Sequence, residues 1–495
     1  MPIKQITDKS EVDERASALI SNASAIQAVA AAVEGTLGPK GLDTMLVDRF
    51  GEVVVTNAGF TILDHMEVNH PAARMLIHIA KAQHEQIGDG TTTATLMAGT
   101  MVKEGLEHIL KGVPVTRVVE GIRRGEELAL TFLRQRSRQL TGIEDPLIYS
   151  VALTAGRGQG DIARHIAVAV GIIGRERLLS PTFRLRDCLL PEKGIQSEIL
   201  PGVVIGRRRL NKQMPGAQRN ALVLGLEDAL EPERVEEEAL STEAGFQRSL
   251  ELRRDFEDVL KKIIGLGVRT IFVERGVSEI AEDLLTGAQV TVIRRISPRE
   301  LRQAMRHTGG RALKRTALRR SKEEIAPFLG FAQEIWEDEK LGHVRILGGR
   351  GEPMATFLLS GATEAVLAER ERIAKDAASS VQAALQGGVL PGGGSIELAA
   401  ARNLLKHRDE LNGMASYGLD CVIEALRRPM VQMLTNAGFN PLEKVAQVLS
   451  AQSTQESDSL ALCCDTGEIA DMAERGVWDP ALVKVHALQA EVGRQ

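Results

Sequence analysis

Cysteine is scarce in this chain: four residues in 495, at Cys188, Cys421 and the adjacent pair Cys463 and Cys464. Their number and spacing fit neither a disulfide framework nor a zinc site, and they suit a reducing cytoplasm. No apolar run approaches the ~18 to 20 residues that a membrane span needs, so a soluble protein is expected. An excess of charge of one sign is missing too. The 61 Lys and Arg stand against 66 Asp and Glu, a formal charge of -5, which gives the chain as a whole no electrostatic claim on nucleic acid. The opening Met1-Pro2-Ile3-Lys4 lacks the apolar core and cleavage site of a secretory signal, so export is not expected. What is present, 43% hydrophobic and 26% charged residues at this length, predicts roughly three globular domains with sizeable cores and excludes one small domain.

The first 137 residues alternate helical periodicity with glycine punctuation. Ile26, Val29, Val33 and Leu37 recur at helical spacing behind an expected N-cap at Asn22, and Gly38-Pro39-Lys40-Gly41 stops that helix. Two short apolar runs between Met45 and Val55, around Gly51, predict a hairpin. A helix near Ala73 to Gln86 runs into Gly88-Asp89-Gly90-Thr91-Thr92-Thr93, which opens another helix. The middle of the chain alternates strand and helix, with strands expected at Ala221–Leu224, Thr270–Val273 and Val290–Ile293, which reads as an α/β module. Between the first two lies a charged segment, 231–262, whose thin stripe of Leu252, Phe256, Val259 and Ile263 predicts a projecting helix with little core of its own. Strand returns at Ala355–Leu359, then a long helix through Asp376, then Pro391-Gly392-Gly393-Gly394 and a mostly helical remainder. Asn440-Pro441 and Asp479-Pro480 both read as an N-cap followed by proline at the first helical position.

A glycine-aspartate-glycine turn opening a helix with three threonines offers free backbone N–H groups, hydroxyls and the positive end of a helix dipole, a set suited to a phosphate chain. Asp89 is then a candidate for holding Mg²⁺. The plainer alternative is that Asp89 or a threonine merely caps the helix. Likewise Gly38-Pro39-Lys40-Gly41 taken alone is a helix stop, and the Gly392 to Gly394 run a flexible joint.

Together these elements carry a resemblance. Thr36-Leu37-Gly38-Pro39-Lys40-Gly41, Thr56-Asn57, Gly88 to Thr93, Pro391 to Gly394, Asp465-Thr466-Gly467-Glu468 and Trp478-Asp479-Pro480 stand in the order and at the spacing found in chaperonins, and the likeness extends over nearly the whole chain. It resembles group II, thermosome-type subunits or a bacterial group III relative of them. The resemblance implies a multidomain protein of α and α/β parts: a mostly helical equatorial ATPase domain (1–137 and 388–495), a small hinge-like intermediate domain (138–205 and 352–387), and an α/β apical substrate-binding domain (206–351). The segment 231–262 would be a built-in helical lid, so no separate lid protein is expected. It further implies ATP/ADP and Mg²⁺ as cofactors, Thr36, Leu37, Gly38 and Pro39 with Asp89, Gly90, Thr91, Thr92 and Thr93 as the phosphate cradle, and Asp89 as the metal carboxylate. Asn57 would stand beside the nucleotide, Gly393 and Asp479 would face base and ribose, and Asp376 would orient the attacking water when the domains close. The implied partners are non-native proteins and further copies of the chain in stacked rings, in the cytoplasm, with no membrane or nucleic acid.

One departure stands out. Where the family has asparagine, aspartate, glycine, this chain reads Asn57-Ala58-Gly59, so a carboxylate expected beside the nucleotide is absent. Losing one positioning carboxylate slows chemistry by ~10²-fold or more while leaving binding largely intact. Slow hydrolysis is therefore expected, and a chaperonin-like binding or assembly protein with little or no turnover is the alternative. Residues 294–322 are a second oddity, with 11 Lys and Arg against one acid, Glu300. Without interleaved aromatics, and with Leu301 and Met305 keeping an apolar face, this stretch reads as a solvated helix rather than a nucleic-acid site.

Overall fold

The computed structural model describes residues 8–47, 51, 53–194, 196–233, 242–410 and 413–492. The reading of Met1 to Lys4, the turn of the predicted hairpin apart from Gly51, and residues 234–241 of the charged segment lie outside them. Among the described residues no helix is long and apolar enough to cross a membrane. The chain forms two compact units: residues 1–167, 178–193 and 361–495, and residues 168–177 and 194–360. The expected apical range falls inside the second unit and both expected equatorial ranges inside the first, whereas the two intermediate ranges are divided between them.

The first unit is built on long helices, Val115–Arg136, Thr91–Leu110, Ser395–Arg408, Ser416–Asn436 and Ala481–Val492, around a core of Met97, Leu133, Ile396, Leu404, Leu419, Val422 and Leu426. Helix Asp8–Glu34 runs straight through Asn22, so the N-cap expected there does not form. Val29 and Val33 are nonetheless buried, in a second cluster with Ile62, Leu76 and Leu96. An asparagine inside a helix is tolerated when the apolar stripe on either side is buried, and tertiary packing here outweighs the local capping preference. Asn440 behaves as predicted, its side chain accepting from the Leu442 and Glu443 N–H groups with Pro441 at the helix start. Asp479 does not. It lies in a short strand, Trp478–Pro480, opposite Leu390 of strand Val389–Pro391, and the helix after it begins at Ala481. The predicted hairpin forms, with Thr44–Val47 antiparallel to Val53–Thr56 and Met45 opposite Val55.

The second unit carries a six-stranded sheet in the order 202–205, 343–349, 330–338, 217–226, 268–273, 291–293. The last three strands are parallel and are joined through helices Glu243–Gly265 and Glu279–Gly287, which is the α/β module read from the sequence. Helix Glu243–Gly265 corrects one expectation. Phe256, Leu260 and Ile263 are buried in this unit's main core beside Leu224, Ile271 and Val292, so the stripe is a sheet-covering face and residues 252–263 do not project. Helix Pro298–Thr308, in the basic stretch, buries Leu301, Ala304 and Met305 and holds its one acid in a capping box with Ser297.

In the first unit, helices Val115–Arg136 and Ser416–Asn436 touch where Gly121 meets Gly418. A Cβ added to Gly121 would stand 1.9 Å from the Ala415 carbonyl oxygen and 2.7 Å from the Gly418 Cα, both backbone atoms that cannot step aside. Gly121→Ala is therefore expected to destabilise the protein by about 1 to 3 kcal/mol through overpacking. Urea unfolding followed by circular dichroism reads this directly, and an unchanged midpoint refutes the close-contact account.

Candidate functional site

All the residues of the candidate site belong to the first unit. Helix Pro71–Gln86 ends in a loop in which Gly88 and Gly90 take left-handed conformations, with φ of 86° and 77°. Gly90 is the N-cap of helix Thr91–Leu110 and provides no side-chain cap, so neither Asp89 nor a threonine plugs the helix end. Instead the Asp89 carboxylate is turned back. Its Oδ1 accepts the Gly90 N–H at 2.6 Å, and its Oδ2 accepts the Ser380 hydroxyl at 2.6 Å. Fully buried Gln83 donates to the Asp89 carbonyl at 2.8 Å, and His486 hydrogen-bonds the Gln83 side-chain oxygen at 2.7 Å. The plainer capping reading is thus excluded, and a free helix N-terminus with its partial positive charge is left beside a carboxylate.

Asp376 and Ser380 lie one turn apart on helix Glu364–Gly387. Burial raises the Asp89 carboxyl above its ordinary range, with the Asp479 charge adding to it and the Ser380 and Gly90 hydrogen bonds opposing. Asp376 is pushed up to about 7, first by burial and then by the negative charge of Asp89, against the pull of Arg372 and Arg157. An acid raised by its neighbour marks negative charge that the site compensates only in part. Arg372 donates to the Asn57 side-chain oxygen at 2.8 Å and also pairs with Glu369. Arg157 holds a left-handed backbone with φ 53°, and burial together with Arg372 lowers its guanidinium pKa.

Other predicted residues converge on the same place. A Cβ on Gly59 would stand 2.2 Å from the Thr92 hydroxyl, so segment 57–59 lies directly on the threonine helix. Ala58 is the N-cap of helix Gly59–His65 and has no side chain to cap it. Gly394, left-handed at φ 75°, is the N-cap of helix Ser395–Arg408, a second uncapped helix start of the same kind. Met433 lies against both glycine loops: its Cγ is 2.6 Å from where a Gly38 Cβ would be, and its Cε 2.9 Å from where a Gly394 Cβ would be. Asn436 donates to the Glu34 and Leu37 carbonyls at 2.9 Å each and so pins the chain leading into Gly38. The Asp479 carboxyl carbon lies 3.1 Å from where a Gly392 Cβ would be. Thr36 differs from expectation in one respect: its hydroxyl donates to the Val33 carbonyl at 2.8 Å and its backbone N–H to the same carbonyl at 3.0 Å, so both of its donors are already engaged.

Arg157, Arg372, Ser380, Gln83 and Lys484 were not singled out from the sequence. Lys484 bonds Asp479 at 2.6 Å and also Glu397. Against the opposing effect of burial, the two carboxylates hold its ammonium well above the ordinary lysine range. Spacing offers a signal for two of the five: Ser380 is four residues beyond Asp376, and Lys484 five beyond Asp479.

The donor set suits a hard cation. Asp89 and Asp376 supply oxygen only, and among the described residues no group of three or more His, Cys, Asp or Glu could cage a metal alone. That is the pattern of Mg²⁺, which takes one or two carboxylates and completes its shell with phosphates and water.

Residues 29–492 match the model of the TCP-1/cpn60 chaperonin family. The chain is 28% identical over 492 residues to a thermosome subunit beta of Sulfurisphaera tokodaii, covering 96% of this chain and 88% of that protein. It is 31% identical over 483 residues to thermosome subunit 1 of Haloferax volcanii, covering 95% and 85%. A crystal structure of a group III chaperonin in the open state superimposes with a TM-score of 0.91 at 43% identity over 97% of each chain.

The raised pKa of Asp376 fixes the sign of a pH effect. A carboxyl raised from 3.8 to about 7 on folding binds a proton in the folded state that the unfolded chain has lost, so stability falls as pH rises between those values. Asp376→Asn is expected to raise the melting temperature of nucleotide-free protein at pH 8, by at most about 4 kcal/mol in free energy, and to leave it unchanged at pH 4. Thermal unfolding at the two pH values checks this, and equal shifts at both contradict it.

Proposed function

The chain belongs to the TCP-1/cpn60 chaperonin family, and on that premise we propose that it is an ATP-dependent chaperonin subunit that binds non-native protein within a ring of its own copies. The observation that carries the reading is the pair of raised carboxylates, Asp89 and Asp376, the second raised in part by the first, beside a helix start left open by Gly90. The triphosphate of ATP is placed by the backbone N–H groups of Thr91, Thr92 and Thr93 behind the Gly90 turn and by the loop of Thr36, Leu37, Gly38 and Pro39. Asp89 is the metal carboxylate, and the bound Mg²⁺ neutralises phosphate charge. Asp376, held on a different helix, orients water toward the terminal phosphate. Gly393 and Asp479 face base and ribose, and Lys484 fixes the Asp479 carboxylate for that contact. Asn57 positions Arg372 at the rim.

The equatorial, intermediate and apical ranges given above are retained in this proposal, with cytoplasmic location and no separate lid protein. The lid is assigned to the part of 231–262 that precedes Leu252, because Phe256, Leu260 and Ile263 belong to the sheet core.

Hydrolysis is proposed to be slow. Ala58 leaves helix Gly59–His65 without a side-chain cap and removes an acid next to Asn57. Ala58→Asp would restore both, and the cap alone is worth about 0.5–2 kcal/mol of local stability. Steady-state hydrolysis by the assembled protein is expected to rise about tenfold or more in Ala58→Asp with nucleotide affinity little changed. Equal rates in the two proteins refute the lesion. Absence of nucleotide binding in both favours the second reading, a chaperonin-like assembly protein without turnover, for which the missing carboxylate at Ala58 speaks.

Ring assembly has its own observation. In the hairpin, Met45 and Val47 on one strand face Val55 and Val53 on the other, and all four are exposed, between 56% and 66%. An apolar sheet face open to water is a contact surface, and a second copy of the chain is the proposed occupant. Val53→Lys with Val55→Lys is expected to shift the sedimentation profile from rings toward single subunits while far-ultraviolet circular dichroism stays unchanged. Intact rings in the double variant would exclude this face from the assembly.

A further inference from the structure

We infer that Ser380 is a positioning residue that sets the orientation of the Asp89 carboxylate for its cation and joins it to the helix that carries Asp376. The inference rests on the reading of Asp89 as the metal carboxylate. Both Asp89 oxygens are held by donors from different parts of the chain, Oδ1 by the Gly90 N–H and Oδ2 by the Ser380 hydroxyl, each at 2.6 Å. Two donors on two oxygens fix the carboxylate plane, and each oxygen keeps a further acceptor site directed away from its donor.

Several features of Ser380 point to this role. It is fully buried in the interior of helix Glu364–Gly387, where alanine is the better helix former and where a hydroxyl is unfavourable unless it is hydrogen-bonded. A helical serine commonly returns its hydroxyl to the carbonyl one turn back. Here the hydroxyl reaches across to residue 89 instead, 291 positions away in sequence. Its neighbour Ser379 fixes the spacing of the contact, because a Cβ on Gly88 would stand 2.5 Å from the Ser379 hydroxyl oxygen. The loop therefore sits on the helix with no slack, glycine against one serine and aspartate bonded to the next. Asp376 lies one turn before Ser380 and so on the same helical face. The serine thereby gives the metal-holding carboxylate and the water-orienting carboxylate a common frame, so that neither is set independently of the other.

The test measures metal binding rather than turnover. Mn²⁺ replaces Mg²⁺ as a paramagnetic probe, and its affinity for the full-length, assembled protein with ADP is read by electron paramagnetic resonance. ADP affinity in excess chelator is measured alongside. Ser380→Ala is expected to weaken Mn²⁺ binding about tenfold, the scale of one charge-assisted hydrogen bond, and to leave metal-free ADP affinity unchanged. Ser380→Thr, which keeps the hydroxyl, is expected to restore most of the affinity, and Ser380→Cys, with a weak donor, to fall between. Asp89→Asn serves as the reference and should abolish the Mn²⁺ signal. If Ser380→Ala binds Mn²⁺ like the parent protein while Asp89→Asn does not, the positioning role is wrong and the metal assignment stands. If Ser380→Ala loses metal-free ADP to the same degree as Mn²⁺, the serine is a general packing residue and the inference is overturned. If the parent protein and Asp89→Asn hold Mn²⁺ equally, the metal reading and the inference fall together.

Discussion

The repulsion between Asp89 and Asp376 is the constraint around which the rest of this site is arranged. Burial first and the Asp89 charge second raise the Asp376 carboxyl to about 7. Folding tolerates this because other groups offset part of the charge. Arg157 and Arg372 act on Asp376, the Gly90 N–H and Ser380 hydroxyl act on Asp89, and Lys484 adds a more distant positive charge. The offset is incomplete, since the Asp376 carboxyl stays raised, and on the proposed reading that residual negative charge is what a cation would meet. A fully neutralised pair would be a structural ion cluster with nothing left to bind.

The site is also an assembly of distant segments. Residues 36–41, 57–59, 88–93, 372–380, 392–394 and 478–484 contribute, and the bonds that unite them span hundreds of positions, 291 in the Ser380 to Asp89 contact and 315 in the Arg372 to Asn57 contact. No single segment can hold its geometry alone, so the helical core supplies the precision. Met433, inside helix Ser416–Asn436, is the clearest case: one side chain lies against the loops at Gly38 and Gly394 and so keeps the two glycine elements in register. Glycine is required at both because their left-handed backbones and the closeness of that thioether leave no room for a Cβ.

Much of this was legible in the sequence, and the reason is physical. Left-handed turns demand glycine and leave a mark in residue order, so the loops at Gly38, Gly88 to Gly90 and Gly392 to Gly394 stand out; singly they read as a helix stop, a helix opening and a flexible joint, and the resemblance to chaperonins is what joins them into one site. The hairpin and the parallel strands followed from apolar runs. What failed was local capping. Asn22 is an exposed interior position of a longer helix, and Asp479 is drawn into a strand pair with Leu390 and an ion pair with Lys484. Capping is worth about 1 kcal/mol, and tertiary pairing outweighs it. The stripe of Leu252, Phe256 and Ile263 looked thin because half of its partners are on strands far along the chain. Ser380, Arg157 and Lys484 escaped notice because a polar residue in a helix or a loop reads as solvated until the fold shows what it faces.

Ala58 belongs to the same charge balance. Its neighbour Asn57 is bonded to Arg372, one of the two cations that act on Asp376. A carboxylate at position 58 would join that cluster and draw on the same guanidinium. In the absence of a cation it would push Asp376 still higher and deepen the repulsion that the folded subunit already bears. The alanine therefore has two opposed effects: it relieves charge crowding in the empty state, and it removes a group that could orient water in the loaded one. Proteins that give up a charged residue at an active site commonly gain stability at the expense of rate. On the reading proposed above, Ala58 trades rate for stability through the charges around Asn57 and Arg372.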